Sequence, residues 1–140
     1  MDKEIKRSII LEHYNNPINR RLIEDDNYLK TNVNNESCID NITIMLKIND
    51  NKIDDICFDG EACAISVSAT SIFIKELLGK NIKEASKFLI EYEKMINEKD
   101  YNKDILGDAK VYDEIYKQPN RKKCALLPWY GIKEMLDKKQ

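Results

Sequence analysis

Hydrophobic and polar residues alternate through the middle of the chain. Every second position of one stretch is aliphatic: Ile42, Ile44, Leu46 and Ile48. This is the period of a strand with one buried face. Asn49-Asp50-Asn51 follows with residues that favour turns, and a second apolar stretch then ends at Phe58. The pattern predicts an antiparallel hairpin, and an earlier strand near residues 28–33 would pair beside it.

Helical periodicity dominates on both sides of the hairpin. Residues 3–15 predict an amphipathic helix that stops before Pro17. A second helix is expected from Cys63 to a stop at Gly79, which is a favourable residue just after a helix end. A third begins at Asn81, which suits the N-cap, with Glu84 placed to complete a capping box.

The C-terminal third predicts a short helix near residues 107–116 and a last helix over about residues 125–138. Pro128 is expected in the first turn of that last helix, where proline is tolerated. The order of helix, strands and helices predicts an α+β fold in which a small antiparallel three-stranded sheet packs against several helices. A length of 140 residues is typical of one domain, so residues 1–140 are expected to form a single unit.

Charge and hydropathy exclude several classes of function. The formal net charge is −2 and both signs are interspersed, whereas a general nucleic-acid binder would present a basic patch. No apolar run approaches the roughly 18 residues of a membrane span, and residues 1–4 do not begin a secretory signal. A cytoplasmic protein that binds neither nucleic acid nor membrane is expected.

Three of the four cysteines lie at the edges of predicted elements. Cys38 and Asp40 precede the first strand of the hairpin and share one face if the chain there is extended. Cys63 precedes a helix, whose N-terminus favours a thiolate, and Cys124 precedes the last helix. Cytosolic cysteines are more often free, metal-bound or catalytic than disulfide-bonded. We hypothesise that the fold gathers these four side chains around a metal ion, although their spacing is not that of a zinc finger.

Other polar residues have simpler interpretations. Cys57 points to the opposite strand face from its neighbours and is interpreted as incidental. His13 is the only histidine and is interpreted as structural or surface-exposed. The segment Arg121-Lys122-Lys123 is either a solvated turn or a contact with a partner.

Three motifs carry a family resemblance: ILEHYNNP from Ile10, GEACAIS from Gly60, and RKKCALLPW from Arg121. Together they resemble the SufU-type members of the IscU/NifU N-terminal family of iron–sulfur assembly proteins, over nearly the whole chain. The long interval between Cys63 and Cys124 is similar to the SufU branch. Lys123 stands where the IscU branch usually carries histidine.

The resemblance implies a SufE/NifU-like fold and a Zn²⁺ site. Its ligands would be Cys38, Asp40, Cys63 and Cys124, with an iron–sulfur cluster or iron as the alternative occupant. The implied activity is that of a zinc-dependent sulfurtransferase, in which Cys38 is the sulfur acceptor and Arg121 stabilises a thiolate or persulfide or contacts the partner. That partner would be a SufS-like, pyridoxal-phosphate-dependent cysteine desulfurase, one of whose histidines takes a vacated zinc position.

The sulfur would then pass to a downstream iron–sulfur scaffold or another acceptor. Two alternatives stay open: a scaffold on which a cluster is built, and a structural zinc domain that only activates the desulfurase. Whether the chain counts as an enzyme in its own right is left open as well.

Two glycines of the family pattern are replaced. The family loop Asn-Pro-x-Cys-Gly-Asp has Ile39 in place of glycine, and Gly-Glu-Gly-Cys has Ala62 in place of its second glycine. A β-branched residue disfavours positive φ. These changes are expected to alter the dynamics of the loop rather than its ability to bind metal.

Overall fold

The computed structural model describes residues 1–35 and 39–138. Its elements are α1 (Lys3–Asn15), β1 (Leu29–Asn34), β2 (Asn41–Asn49), β3 (Lys52–Glu61), α2 (Ala64–Leu77), α3 (Ile82–Ile96), α4 (Lys103–Leu106), two 3₁₀ segments (Gly107–Tyr112 and Ile115–Lys117) and α5 (Pro119–Asp137). The predicted α+β class is confirmed. No helix within the described ranges is both long and apolar enough to cross a membrane.

The three strands form one antiparallel sheet in the order β1-β2-β3. Asp50 and Asn51 connect β2 to β3 with φ angles of 51° and 63°. Two consecutive residues with positive φ are what a tight hairpin turn requires, because this turn matches the twist of the strands it joins. The predicted hairpin and the neighbouring third strand are therefore both present.

Helix α2 is the central helix of the fold. Ten of its fourteen residues are buried, and it packs against both α1 and α5. Serine and alanine occupy much of its N-terminal half, and such small side chains let neighbouring helices approach closely. The aliphatic residues of the sheet complete the same hydrophobic core, and α2 is buried from Ser66 to Ile74.

The other face of the sheet is covered by the chain between α1 and β1. Asn19 Nδ2 donates to the Ile56 carbonyl at 3.0 Å, and the backbone N–H of Ile23 lies 3.4 Å from Met45 Sδ. Cys57, paired with Met45 across the sheet, is fully buried. Burial raises the pKa of the Cys57 thiol.

His13 joins α1 to α2. Its Nδ1 lies 2.7 Å from Ser71 Oγ, which also accepts a hydrogen bond from the Ile18 backbone N–H at 2.9 Å. The ring is buried, and burial lowers the pKa of His13. His13 therefore has a structural role, since it holds α1 against α2.

Two predictions for the C-terminal third were wrong. The expected helix near residues 107–116 consists largely of 3₁₀ turns, and the last helix begins at Pro119 instead of near residue 125. Proline is favoured at the first helical position because its missing N–H has no partner there anyway. As a result, Pro128 lies in the middle of α5 and not in its first turn.

Gly60 allows the ends of two strands to approach closely. It has a φ of +141°, and a Cβ atom there would clash with the Asn41 carbonyl and lie 2.8 Å from Ile42 Cα. Any larger residue would push β3 away from β2 at this point. Asp40 and Cys63 lie immediately beyond these paired ends.

Replacing Gly60 should therefore cost more stability than replacing another glycine with positive φ. Gly79 has a φ of +84° but open space where a Cβ would stand, so Gly79→Ala should lower the free energy of unfolding by about 1 kcal/mol. Gly60→Ala adds a backbone clash and should cost at least about 2 kcal/mol more. Urea unfolding of both variants and the wild type measures this difference, and equal losses would show that the close approach is unimportant.

Candidate metal centre

Asp40 connects the start of β2 to the start of α2. In the sheet register, Asn41 pairs with Glu61, so the residues just outside that pair are brought side by side. Asp40 Oδ1 accepts a hydrogen bond from the Cys63 backbone N–H at 2.7 Å, and Oδ2 accepts one from Ser66 Oγ at 2.6 Å. Cys63 is the N-cap of α2 but makes no side-chain capping bond. Asp40 thus caps the helix from another part of the chain.

These hydrogen bonds favour the ionised form of the buried carboxylate. Only 1% of Asp40 is exposed, and burial by itself would raise its pKa. The bonds from the Ser66 hydroxyl and the Cys63 N–H, together with weaker interactions with the Cys124 and Cys63 side chains, outweigh that effect, and the net pKa of Asp40 is lowered. A negative charge therefore lies beside the two sulfurs even before any cation is considered.

Cys124 approaches this carboxylate from α5. It is buried, with Asn35 Nδ2 3.9 Å from its Sγ. Burial, followed by the neighbouring Cys63 and Asp40, raises the pKa of Cys124 far above its ordinary value. A cation bound beside Cys124 would lower the pKa of this thiol, because it stabilises the thiolate.

The ligand atoms of Asp40, Cys63 and Cys124 all lie within 4.8 Å of one another. Bonds of about 2.0–2.3 Å to a tetrahedral ion separate its ligands by roughly 3.5–3.8 Å, and Cys63 Sγ lies 3.8 Å from Asp40 Oδ2. The three side chains fit a metal ion with little rearrangement. Cys63 is partly exposed while the other two are buried, so the cluster opens on the Cys63 side.

Cys38, the fourth predicted ligand, lies outside the described residues. The chain on either side of the undescribed segment is well anchored: the Asn35 backbone N–H donates to the Asp40 carbonyl at 3.0 Å. Arg121, the other predicted functional residue, lies in the first turn of α5 and is exposed. It precedes Cys124 by three positions, which places the two as neighbours on the helix surface.

Ser66 was missed as a site residue, because the sequence presented it only as the last residue of the GEACAIS motif. Its hydroxyl lies 2.6 Å from Asp40 Oδ2, 3.5 Å from Cys63 Sγ and 3.2 Å from the Cys124 carbonyl. A signal for it was available: Ser66 stands three residues after the N-cap, the position from which a capping-box side chain reaches back.

The family profile described as the NifU-like N-terminal domain matches residues 5–125. The chain belongs to this family.

Named relatives of this NifU-like chain fall into two groups. It is 31% identical over 135 residues to the zinc-dependent sulfurtransferase SufU of Bacillus subtilis, covering 96% of this chain and 90% of the relative. It is also 30% identical over 129 residues to the iron–sulfur cluster assembly scaffold protein IscU of Thermotoga maritima, covering 92% and 90% of the two chains.

A solved structure supports the same fold. A protein of Fervidobacterium islandicum AW-1, described as a candidate iron–sulfur cluster assembly scaffold for the SUF system, superimposes with a TM-score of 0.86. The two are 27% identical, and the match covers 96% of this chain and 99% of the other. The resemblance expected from the three sequence motifs is thus confirmed.

Ala62 replaces one of the two family glycines, and its backbone conformation shows whether glycine is needed there. The described non-glycine residues with positive φ are Asn19, Asp50, Asn51 and Glu98. Ala62 is not one of them, so its position does not require the conformational freedom of glycine. Ile39 is exposed beside the buried Asp40.

The different burial of the cysteines predicts their order of alkylation. In the metal-free native protein, iodoacetamide should modify Cys63 at least about tenfold faster than Cys57 or Cys124, because both of these thiols are buried with raised pKa values. Peptide mass spectrometry over a time course measures the three rates. Comparable rates for Cys63 and Cys124 would contradict the conclusion that the cluster is open to solvent at Cys63 and closed at Cys124.

Proposed function

We propose that this chain acts in iron–sulfur cluster assembly as a zinc-dependent sulfurtransferase that accepts persulfide sulfur from a cysteine desulfurase. The observation that carries the proposal is the cluster of Asp40, Cys63 and Cys124 in a chain similar along nearly its whole length to a zinc-dependent sulfurtransferase. This activity places the protein in the cytoplasm with its partner, and residues 1–140 act as a single domain.

The zinc ligands are Cys38, Asp40, Cys63 and Cys124. Three thiolates and one carboxylate suit zinc, which when bound keeps the thiols deprotonated and holds distant parts of the chain together. Cys63 is held at the N-terminus of the central helix, and Cys124 is buried on α5. Asp40 is held by two hydrogen bonds. These three form the fixed part of the site.

Cys38 is the sulfur acceptor in this scheme, because the other two cysteines of the site are built into helices or their caps. Its thiolate attacks the outer sulfur of the persulfide on the desulfurase cysteine. A bond forms between Cys38 Sγ and that outer sulfur, the original sulfur–sulfur bond breaks, and the desulfurase cysteine leaves as a thiolate. The exchange is balanced and needs no external oxidant or reductant.

Arg121 assists this exchange from the exposed first turn of α5. A guanidinium remains charged at any physiological pH and presents several donors, so it can stabilise a thiolate or persulfide or contact the partner. The partner is a pyridoxal-phosphate-dependent, SufS-like cysteine desulfurase. The sulfur then passes to a downstream scaffold or another acceptor.

A scaffold function is the second candidate, supported by the similarity to IscU of Thermotoga maritima. Thiolates bind iron–sulfur clusters as readily as zinc. Lys123 weighs against it, since this exposed residue replaces the histidine that the IscU branch carries before its last cysteine. A lysine ammonium is a donor and offers no lone pair to a metal.

Zinc content and the effect of Cys38 test the first candidate. The purified protein should carry about one zinc per chain and should stimulate its desulfurase, whereas Cys38→Ala should abolish both the stimulation and the persulfide trapped on this chain. Cys57→Ala is the matched control and should retain both, because Cys57 is buried on the other face of the sheet. Full stimulation by Cys38→Ala would refute the acceptor assignment.

Anaerobic reconstitution distinguishes the two candidates. When the zinc-loaded protein is incubated with iron and sulfide, we expect no stable cluster and no transfer to an apo-ferredoxin. Absorption spectra and ferredoxin activity measure these outcomes. A stable cluster that is transferred would favour the scaffold instead.

A further inference from the structure

One hydroxyl group contacts all three described members of the metal cluster. Ser66 Oγ lies near Asp40 Oδ2, Cys63 Sγ and the carbonyl oxygen of Cys124. Ser66 itself is fully buried, so no solvent competes for its proton. The shortest of the three contacts, 2.6 Å, is the one to Asp40.

The two oxygens of Asp40 have different surroundings. Oδ1 is bound by the Cys63 backbone N–H, while Oδ2 is bound by Ser66 and faces Cys63 Sγ at 3.8 Å. With Oδ1 committed to the helix N-terminus, Oδ2 is the oxygen available to a metal. The hydroxyl of Ser66 therefore contacts the carboxylate oxygen that faces Cys63 Sγ.

Pro128 removes the usual helical hydrogen bond of the Cys124 carbonyl. In an α-helix, the N–H of residue 128 would bond to the carbonyl of residue 124, but proline has no N–H to donate. Ser66 Oγ lies 3.2 Å from that carbonyl oxygen. Because Ser66 donates its single proton to Asp40 Oδ2, its contact with this carbonyl shows how closely α2 and α5 approach at the cluster.

We propose that Ser66 is a positioning residue for the metal site, which holds Asp40 so that only Oδ2 is presented to the ion. This inference rests on the proposed zinc function. Carboxylates that bind metals are usually held by such outer hydrogen bonds, and removing one typically weakens metal affinity 10- to 100-fold. Ser66 supplies this bond from the helix that also carries Cys63.

The test compares zinc affinity in the full chain, measured by competition with a chromophoric chelator at one pH. Ser66→Ala should raise the zinc Kd about 10- to 100-fold. Ser68→Ala is the matched control: it removes another buried hydroxyl of α2, which contacts Tyr112 at 2.5 Å and no member of the cluster. Its Kd should stay within about twofold of the wild type.

A double-mutant cycle shows whether Ser66 acts through Asp40. In an Asp40→Ala background, Ser66→Ala should not change the remaining zinc affinity, because the carboxylate that it positions is gone. An equal loss in both backgrounds would overturn the proposal, as would an unchanged Kd for Ser66→Ala alone.

Two further measurements test the hydroxyl of Ser66 directly. The side chains introduced by Ser66→Thr and Ser66→Val have the same shape, but only the first carries a hydroxyl. The Ser66→Thr protein should therefore bind zinc at least about tenfold more tightly than the Ser66→Val protein, even if Ser66→Ala fails to fold. Equal affinities would refute the role of the hydroxyl. Urea unfolding of the metal-free variants should show about tenfold coupling between Ser66 and Asp40 in the unfolding constant. If the wild type binds no zinc, the proposed function fails, and an absence of this coupling would separately overturn the positioning role.

Discussion

A buried carboxylate at the N-terminus of the central helix organises this molecule. Burying an ionised group is costly unless hydrogen bonds and nearby positive charge compensate for it. Asp40 receives that compensation from the Cys63 N–H, the Ser66 hydroxyl and the partial positive charge of the helix N-terminus. Because Asp40 immediately precedes β2 and Cys63 is the N-cap of α2, this contact fixes the sheet relative to the helix on which the core is built.

The cluster of Asp40, Cys63 and Cys124 follows from that contact. Once Asp40 is held against α2, Cys63 lies beside it, and the packing of α5 on α2 brings Cys124 to the same point. Two residues that interrupt regular structure lie close by: Gly60, with its positive φ, and Pro128, inside a helix. Natural proteins commonly break local rules at functional sites and compensate elsewhere. Here β2 and β3 approach closely at Gly60. Ser66 lies beside the Cys124 carbonyl, whose usual helical donor is missing at Pro128.

Much of the fold could be predicted because the determining interactions are local. Alternating aliphatic residues predicted β2, the turn residues Asn49-Asp50-Asn51 predicted the hairpin, and the Asn81–Glu84 capping box predicted where α3 begins. The cysteine and aspartate candidates also followed from residue types at the edges of elements, aided by a family resemblance. The start of α5 was misplaced because Pro128 was interpreted as a helix boundary, while the signal from Pro119 at the first helical position was overlooked.

The sequence by itself determined the period and order of the main elements and several of their ends, since each depends on residues only a few positions apart. Only the tertiary structure decided how the site is held together. The bond between Ser66 and Asp40 spans 26 positions, and the contact between Ser66 and the Cys124 carbonyl spans 58. No local pattern encodes such distances, because they depend on strand register and helix packing. For that reason Ser66 could not be recognised from the sequence until the fold placed it beside Asp40, Cys63 and Cys124.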